Sequence, residues 1–144
     1  MYLVDTNIFL EVLLSRAKKE ECKNFLKSLR DGEKTGIVTD FTIHSIIVIM
    51  SNFNKLNELK TFLLSLTAYK GLHLYSTTIA DEVKAVEITT KQNIDIDDAI
   101  QYSTALSANT EAIISFDKHF NGLSIPRKEP IANNNHENKK IKCT

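Results

Sequence analysis

The chain is short of arginine, short of cysteine and without excess charge of either sign, and each shortage removes a class of function. Arg16, Arg30 and Arg127 are its only arginines, which leaves little capacity for the bidentate guanidinium clamps that grip nucleic-acid phosphates. Lysine plus arginine equals aspartate plus glutamate, 18 against 18. No long-range field therefore gathers polyanions, and a nucleic-acid ligand would need a local patch or a metal. Cys22 and Cys143 stand far apart; that is neither a disulfide framework nor a metal-ligand spacing, and it suits a reducing compartment. No charged-then-apolar leader opens the chain and no apolar run approaches membrane-spanning length. The expectation is a cytoplasmic protein with no membrane segment. Aromatic residues fall mostly at apolar positions, which offers no base-stacking platform.

What is present is ordinary for one globular domain: 144 residues, 42% apolar and 25% charged, enough to bury a core without staples. Tyr2-Leu3-Val4 reads as a short buried strand that runs into Asp5-Thr6-Asn7, a turn that opens a helix. Ile8, Phe9, Val12 and Leu13 continue it. Cys22, Phe25, Leu26 and Leu29 mark a second helix closed by Asp31-Gly32, and Gly36-Ile37-Val38 a second strand ending at Thr39-Asp40. Phe41 to Phe53 carries a β-branched run, Ile46 to Ile49, yet its length and the Thr39/Asp40 cap predict a helix. Leu56, Leu59, Leu63 and Leu66 form another helix, and Leu72 to Tyr75 a third strand. Thr78 and Asp81 resemble a capping box, with Ile79, Val83 and Val86 expected inward. The acidic loop Ile94 to Asp98 leads into a helix with Ala99, Tyr102 and Leu106 on one face, opened by Asp98. Ala112 to Ser115 is a strand followed by Phe116-Asp117, and Leu123-Ser124-Ile125 a final edge strand before Pro126. Residues 1–125 are read as the domain and 126–144 as a flexible C-terminal tail. Strands alternating with helices predict an α/β fold, a mostly parallel sheet covered on both faces.

Three carboxylates stand out by position. Asp5 ends the first strand, Asp117 follows the last buried strand, and Asp98 opens a helix between them. In a doubly wound sheet all three can reach the crevice at the carboxyl edge. Each alone is explained by a helix cap, a first-turn acid or a turn residue. Together they form an oxygen-donor cluster suited to Mg²⁺ or Mn²⁺, the ions for metal-assisted attack of water on a phosphodiester.

Val4-Asp5-Thr6-Asn7, Asp97-Asp98-Ala99-Ile100 and Ile114-Ser115-Phe116-Asp117-Lys118-His119-Phe120 resemble the PIN-domain nucleases, within them the small VapC-type toxin ribonucleases. The resemblance covers roughly residues 1–125. It implies a three-layer α/β/α sandwich around a five-stranded, mostly parallel sheet, and a Mg²⁺- or Mn²⁺-dependent endonuclease acting on RNA. Asp5, Asp98 and Asp117 become metal-binding, catalytic acids, with Asn7 and Ser115 in support and Thr6 forming the turn. A homodimer and an antitoxin partner are also implied. One departure stands out. Where the family usually carries a glutamate after the second strand, the pattern places Ser45, with His44 beside it. A hydroxyl does not replace a carboxylate's charge, so metal affinity is expected to fall. His44, Asp40, Asp95 and above all Asp97 are candidates to supply what Ser45 lacks, and His119 stands where some relatives carry a further acid. The missing glutamate also motivates the alternative of a weak or inactive RNA- or protein-binding module.

For substrate, the stripe Lys19, Lys23, Lys27 and Arg30 could track an RNA backbone, against the simpler reading of a solvated helix face. Lys139, Lys140 and Lys142 would add salt-sensitive attraction. A phosphoacceptor receiver domain is disfavoured because Asp5 has no acidic neighbour, and an Asp-x-Asp phosphatase because Asn7 occupies the second position.

Overall fold

Five short strands, each three or four residues long except the last, lie between helices in the computed structural model, which describes residues 1–131. β1 (Tyr2–Val4), β2 (Gly36–Thr39), β3 (Leu72–Tyr75), β4 (Ala112–Ile114) and β5 (Arg127–Lys128) form one sheet in the order β3-β2-β1-β4-β5. Every neighbouring pair is parallel. A sheet covered on both faces needs apolar residues at successive positions rather than alternating ones. Leu3, Ile37 and Ile113 accordingly point into one core, and Val4, Val38 and Ile114 into the other, as the two-residue repeat of a strand requires.

Helices α1 (Thr6–Leu13), α2 (Lys19–Arg30), α3 (Asp40–Asn52) and α4 (Leu56–Leu66) cover the first face through Phe9, Phe25, Leu29, Ile46, Met50 and Phe62. Helices α5 (Ile79–Gln92) and α6 (Ile96–Ser107) cover the second through Ala85, Ile88, Ala99 and Tyr102. The result is the three-layer α/β/α sandwich. The chain winds outward from β1 to β3, then crosses to the other face and returns as β4 on the opposite side of β1. The order reverses between β1 and β4, and a crevice opens there at the carboxyl ends of the strands. No helix among the described residues is long and apolar enough to cross a membrane.

The β-branched segment is helical. Thr39 caps it by accepting from the Thr42 amide at 3.0 Å, and Ile46 and Met50 are fully buried. Packing and the cap outweigh the modest penalty for β-branched residues.

Three expectations are corrected. Ile79, Val83 and Val86 are not inward: they are 76%, 54% and 57% exposed. The capping box sets the phase of α5 differently. Asp81 is drawn inside, where its carboxylate accepts from the Tyr75 hydroxyl at 2.9 Å and from Ser107 Oγ at 2.8 Å. Ala85 and Ile88, one and two turns on, follow it into the core. Second, Leu123 to Ile125 is not a strand. Ile125 packs into the core and Ser124 is tied to the Tyr102 hydroxyl at 2.6 Å. The ladder instead begins at the Pro126 carbonyl, which accepts from the Ile113 amide, and β5 pairs beyond it. The sheet therefore extends past residue 125. Lys139, Lys140 and Lys142, expected in the tail, lie outside the described residues. Third, α6 begins at Ile96 with Asp95 as N-cap, so Asp97 and Asp98 both lie on its first turn.

Candidate metal centre

Asp5 is carried to the end of β1 and caps α1. Its Oδ1 accepts from the Thr6 amide at 2.8 Å and its Oδ2 from Ser115 Oγ at 2.8 Å, while its own amide donates to the Ile114 carbonyl on β4. The carboxylate is 6% exposed. Burial pushes its pKa above the usual range, and the hydrogen bonds from Ser115, Thr6 and Gln101 pull the other way. Ser115 is the hinge between two acids, because the same Oγ accepts from the Asp117 amide at 2.9 Å. That pair of bonds explains the two-residue spacing between Ser115 and Asp117.

Asp98 projects from the first turn of α6 towards the same point. Its carboxyl is pushed up to about 6, first by burial and then by the negative charges of Asp117, Asp97 and Asp5. The imidazole of His119 lies between two of these acids: Nδ1 is 3.3 Å from Asp98 Oδ2 and 3.2 Å from Asp117 Oδ1. Its amide also donates to Asp117 Oδ1 at 2.9 Å. The charge of Asp117 and the hydrogen bond to Asp98 raise the pKa of this ring, although it is 64% exposed.

These groups share a cleft of about 300 Å³. Asp5, Asn7, Ser45, Asp97, Asp98 and Asp117 line it, together with Asp95 and His119; Ser115 lies buried beneath. His44 does not reach it. Adjacent helix residues point about 100° apart, and His44 is exposed on the neighbouring surface beside Val48. Asp40 is committed elsewhere: its Oδ1 accepts from the amide and hydroxyl of Thr77 at 3.1 and 2.9 Å. Lys19, Lys23, Lys27 and Arg30 lie on α2 and none lines the cleft; Arg30 is paired with Asp31. A larger cavity of about 450 Å³, walled by Phe9, Val12, Leu13, Leu26 and Phe62, is apolar and brings no carboxylates together.

Two participants have no motif to announce them. Gln101 is 2% exposed; its Nε2 donates to Thr42 Oγ1 at 2.8 Å and to Asp5 Oδ1 at 3.4 Å, and its Oε1 accepts from Thr39 Oγ1 at 3.0 Å. The available signal was its position three residues after Asp98, on the same helix face. Arg16, in the loop after α1, reaches back so that Nη1 lies 3.5 Å from Asn7 Oδ1 at the cleft rim. Gln101→Leu is expected to lower stability by about 2 kcal/mol, because it takes the acceptor from the buried Thr39 hydroxyl, removes a donor from Thr42 Oγ1 and weakens the support of Asp5. Urea denaturation reads the change, and an unaltered midpoint would show the network to be dispensable.

The donor set fits a hard divalent cation. Carboxylate oxygens converge, and burial together with the neighbouring charges of Asp117, Asp97 and Asp5 raises the pKa of Asp98, a condition a cation relieves. Asp95, Asp98 and His119 each bring one ligand atom, all within 4.8 Å of one another.

Comparison with known proteins agrees with this architecture. The sequence matches the PIN domain over residues 2–125. Among solved structures, a toxin–antitoxin complex from Klebsiella pneumoniae is similar at 17% identity and a TM-score of 0.68, covering 91% of this chain and 98% of that one. VapC20 of Mycobacterium tuberculosis, described as a sarcin–ricin loop cleaving toxin, is similar at 12% identity and a TM-score of 0.69, with 81% and 90% covered. VapBC2 from Rickettsia felis, bound to a DNA fragment from their promoter, is similar at 15% identity and a TM-score of 0.66, with 89% and 97% covered. No curated protein matches the sequence. At these identities the structural likeness speaks for the fold, while the family match takes in β1 to β4 and all the acids of the cleft: the chain belongs to the PIN domain family.

Proposed function

We propose that the chain is a metal-dependent endoribonuclease that hydrolyses RNA phosphodiester bonds, and that it serves in the cytoplasm as the toxin of a toxin–antitoxin pair. One observation carries the reading: Asp5, Asp98 and Asp117, from three separate segments, line a single cleft at the switch point of the sheet. Mg²⁺ or Mn²⁺ held by these acids, with Asp97 beside them, would supply an activated water and offset charge developing on the phosphate. The chain's own contribution is positioning. Ser115, Thr6 and Gln101 fix both oxygens of Asp5, and Ser115 holds Asp117 in register with it. Asn7 lines the rim.

Incubation of single-stranded RNA with the protein tests this directly. Cleavage is expected with Mn²⁺ or Mg²⁺ and its loss on chelation. Cleavage that survives chelation, or none with either ion, would overturn the reading. A second reading, a binding module without catalysis, is favoured by Ser45, whose neutral hydroxyl lines the cleft and is spent on the Phe41 carbonyl at 2.9 Å. RNA binding without metal-dependent cleavage would select it.

Arg16 is the proposed phosphate anchor. Among the described residues, Arg30 and Arg127 are paired with Asp31 and Glu129, whereas Arg16 meets only the neutral amide of Asn7. Arg16→Ala, made in a cleavage-deficient background, is expected to reduce the salt slope of single-stranded RNA binding by about 0.7. The α2 variant Lys23→Ala should leave that slope unchanged. Equal effects of the two would return the substrate path to the lysine stripe.

The toxin assignment draws on the likeness to toxin–antitoxin structures, and a small reading frame immediately upstream of the gene would support it. Homodimerisation is part of the proposal. Ile79, Val83 and Val86 on α5, Val48 on α3 and Phe53 at the C-cap of α3 leave apolar surface to cover, and light scattering of the purified chain reads the mass.

A further inference from the structure

We infer that the cation site of this cleft is a mixed nitrogen–oxygen site, with the imidazole of His119 as a ligand beside the carboxylates of Asp98 and Asp95. The consequence is selectivity for Mn²⁺ and other first-row transition ions over Mg²⁺. The inference rests on the metal-dependent reading of the cleft and deepens it by assigning a ligand that the three-acid description leaves out.

The first argument is geometric. Asp95, Asp98 and His119 come from the N-cap and first turn of α6 and from the short helix at Lys118–Phe120. Their ligand atoms nevertheless fall within 4.8 Å of one another; ligand distances of about 2.0–2.2 Å to one ion span at most about 4.4 Å, so side-chain torsions need close the set by only a few tenths of an ångström. The atom of His119 that faces the acids is Nδ1, 3.3 Å from Asp98 Oδ2 and 3.2 Å from Asp117 Oδ1. The ring is therefore already turned into the cleft, although it is exposed enough to point into solvent.

The second argument is the opposite wall. Ser45 lines the same cleft and donates its hydroxyl to the carbonyl of Phe41, so that wall offers no anionic ligand. A cation centred among the remaining donors is drawn towards the side that carries Asp98, Asp95 and His119. Imidazole is a borderline donor that suits transition ions, whereas Mg²⁺ keeps to oxygen and to water. A site that has a hydroxyl on one side and an imidazole on the other is built for the former.

The test needs no nuclease activity. Untagged protein, free of added histidines, is titrated with Mn²⁺ and with Mg²⁺ by calorimetry. The bound Mn²⁺ is then examined by pulsed electron paramagnetic resonance for coupling to a directly bonded ¹⁴N nucleus. Wild type is expected to show that coupling and to bind Mn²⁺ more tightly than Mg²⁺. His119→Asn, close in size and lacking the ring nitrogen, is expected to lose the coupling and about tenfold in Mn²⁺ affinity, with Mg²⁺ affinity little changed. Its circular dichroism and melting point establish that it folds, and Mn²⁺ bound to unaltered wild type gives the nitrogen signal independently of any variant. Oxygen-only coupling in wild type, or an unchanged Mn²⁺ to Mg²⁺ ratio in His119→Asn, overturns the inference. The two readings separate cleanly. Nitrogen coupling without RNA cleavage keeps the ligand and removes the nuclease; cleavage without nitrogen coupling does the reverse.

Discussion

Asp98→Asn is expected to abolish metal-dependent RNA cleavage while making the metal-free protein more stable at neutral pH. The loss follows from removing a charged ligand at the reaction centre, on the order of 10²- to 10³-fold in rate. The gain follows from the electrostatics of the cluster. Asp98 titrates near 6, raised from 3.8 by burial and by Asp117, Asp97 and Asp5. A carboxyl whose pKa is raised on folding binds its proton more tightly in the native state. Stability therefore falls as pH rises from the unfolded value through the folded one, and stays reduced above about 6. Asparagine carries no charge and escapes that penalty. The variant should melt above wild type at pH 7 to 8 without metal, and the difference should fade below pH 4, where Asp98 is protonated in both states. Bound cation should reverse the order, since wild type gains an ion pair that asparagine cannot form. Thermal melts at two pH values, with and without Mn²⁺, read all of this. A variant that unfolds would make Asp98 a structural acid, and one that cleaves at the wild-type rate would remove it from the site.

Ser45→Glu is expected to strengthen divalent-cation binding by about tenfold or more and to raise the cleavage rate with it. Ser45 is half-buried on the α3 wall of the cleft, and its hydroxyl is spent on its own helix. A glutamate there would extend a carboxylate towards Asp5, Asp98 and Asp117, and affinity for a hard cation grows with the number of charged oxygens. Without metal the same charge is a liability, on the order of 2 kcal/mol at about 8 Å and an effective dielectric constant near 20. The signature is therefore a crossover: less stable than wild type in chelator, more stable in Mn²⁺. Equal destabilisation in both conditions would mean that residue 45 does not face the ion.

How much of this was legible beforehand depended on how local the cause was. The cap at Thr39, the capping box at Thr78 and Asp81, and the acids after β1 and β4 are short-range features, each written within a few residues. The inward face of α5 was not. Ile79, Val83 and Val86 make the more apolar stripe, and hydrophobicity alone favours burying them. The stripe that is buried begins with Asp81, whose desolvation is offset by Tyr75 and Ser107, partners from β3 and α6. Likewise, the apolar Leu123 to Ile125 reads as the edge strand, whereas ladder pairing requires only backbone groups and falls on Arg127–Lys128. Gln101 resembled any polar helix residue until its amide met Asp5, 96 positions away in the chain.

From the sequence alone came the alternation of strands and helices, the three acids at strand ends, the neutral residue at position 45 and the family resemblance, because each is a matter of spacing along one segment. The tertiary structure decided the rest. It settled that Asp5, Asp98 and Asp117 line one cleft, that Ser45 faces it while His44 does not, and that His119 bridges Asp98 and Asp117. Those facts depend on the reversal of strand order between β1 and β4 and on the phases of α3 and α6. Such distances are fixed by packing between segments, and no local pattern encodes them.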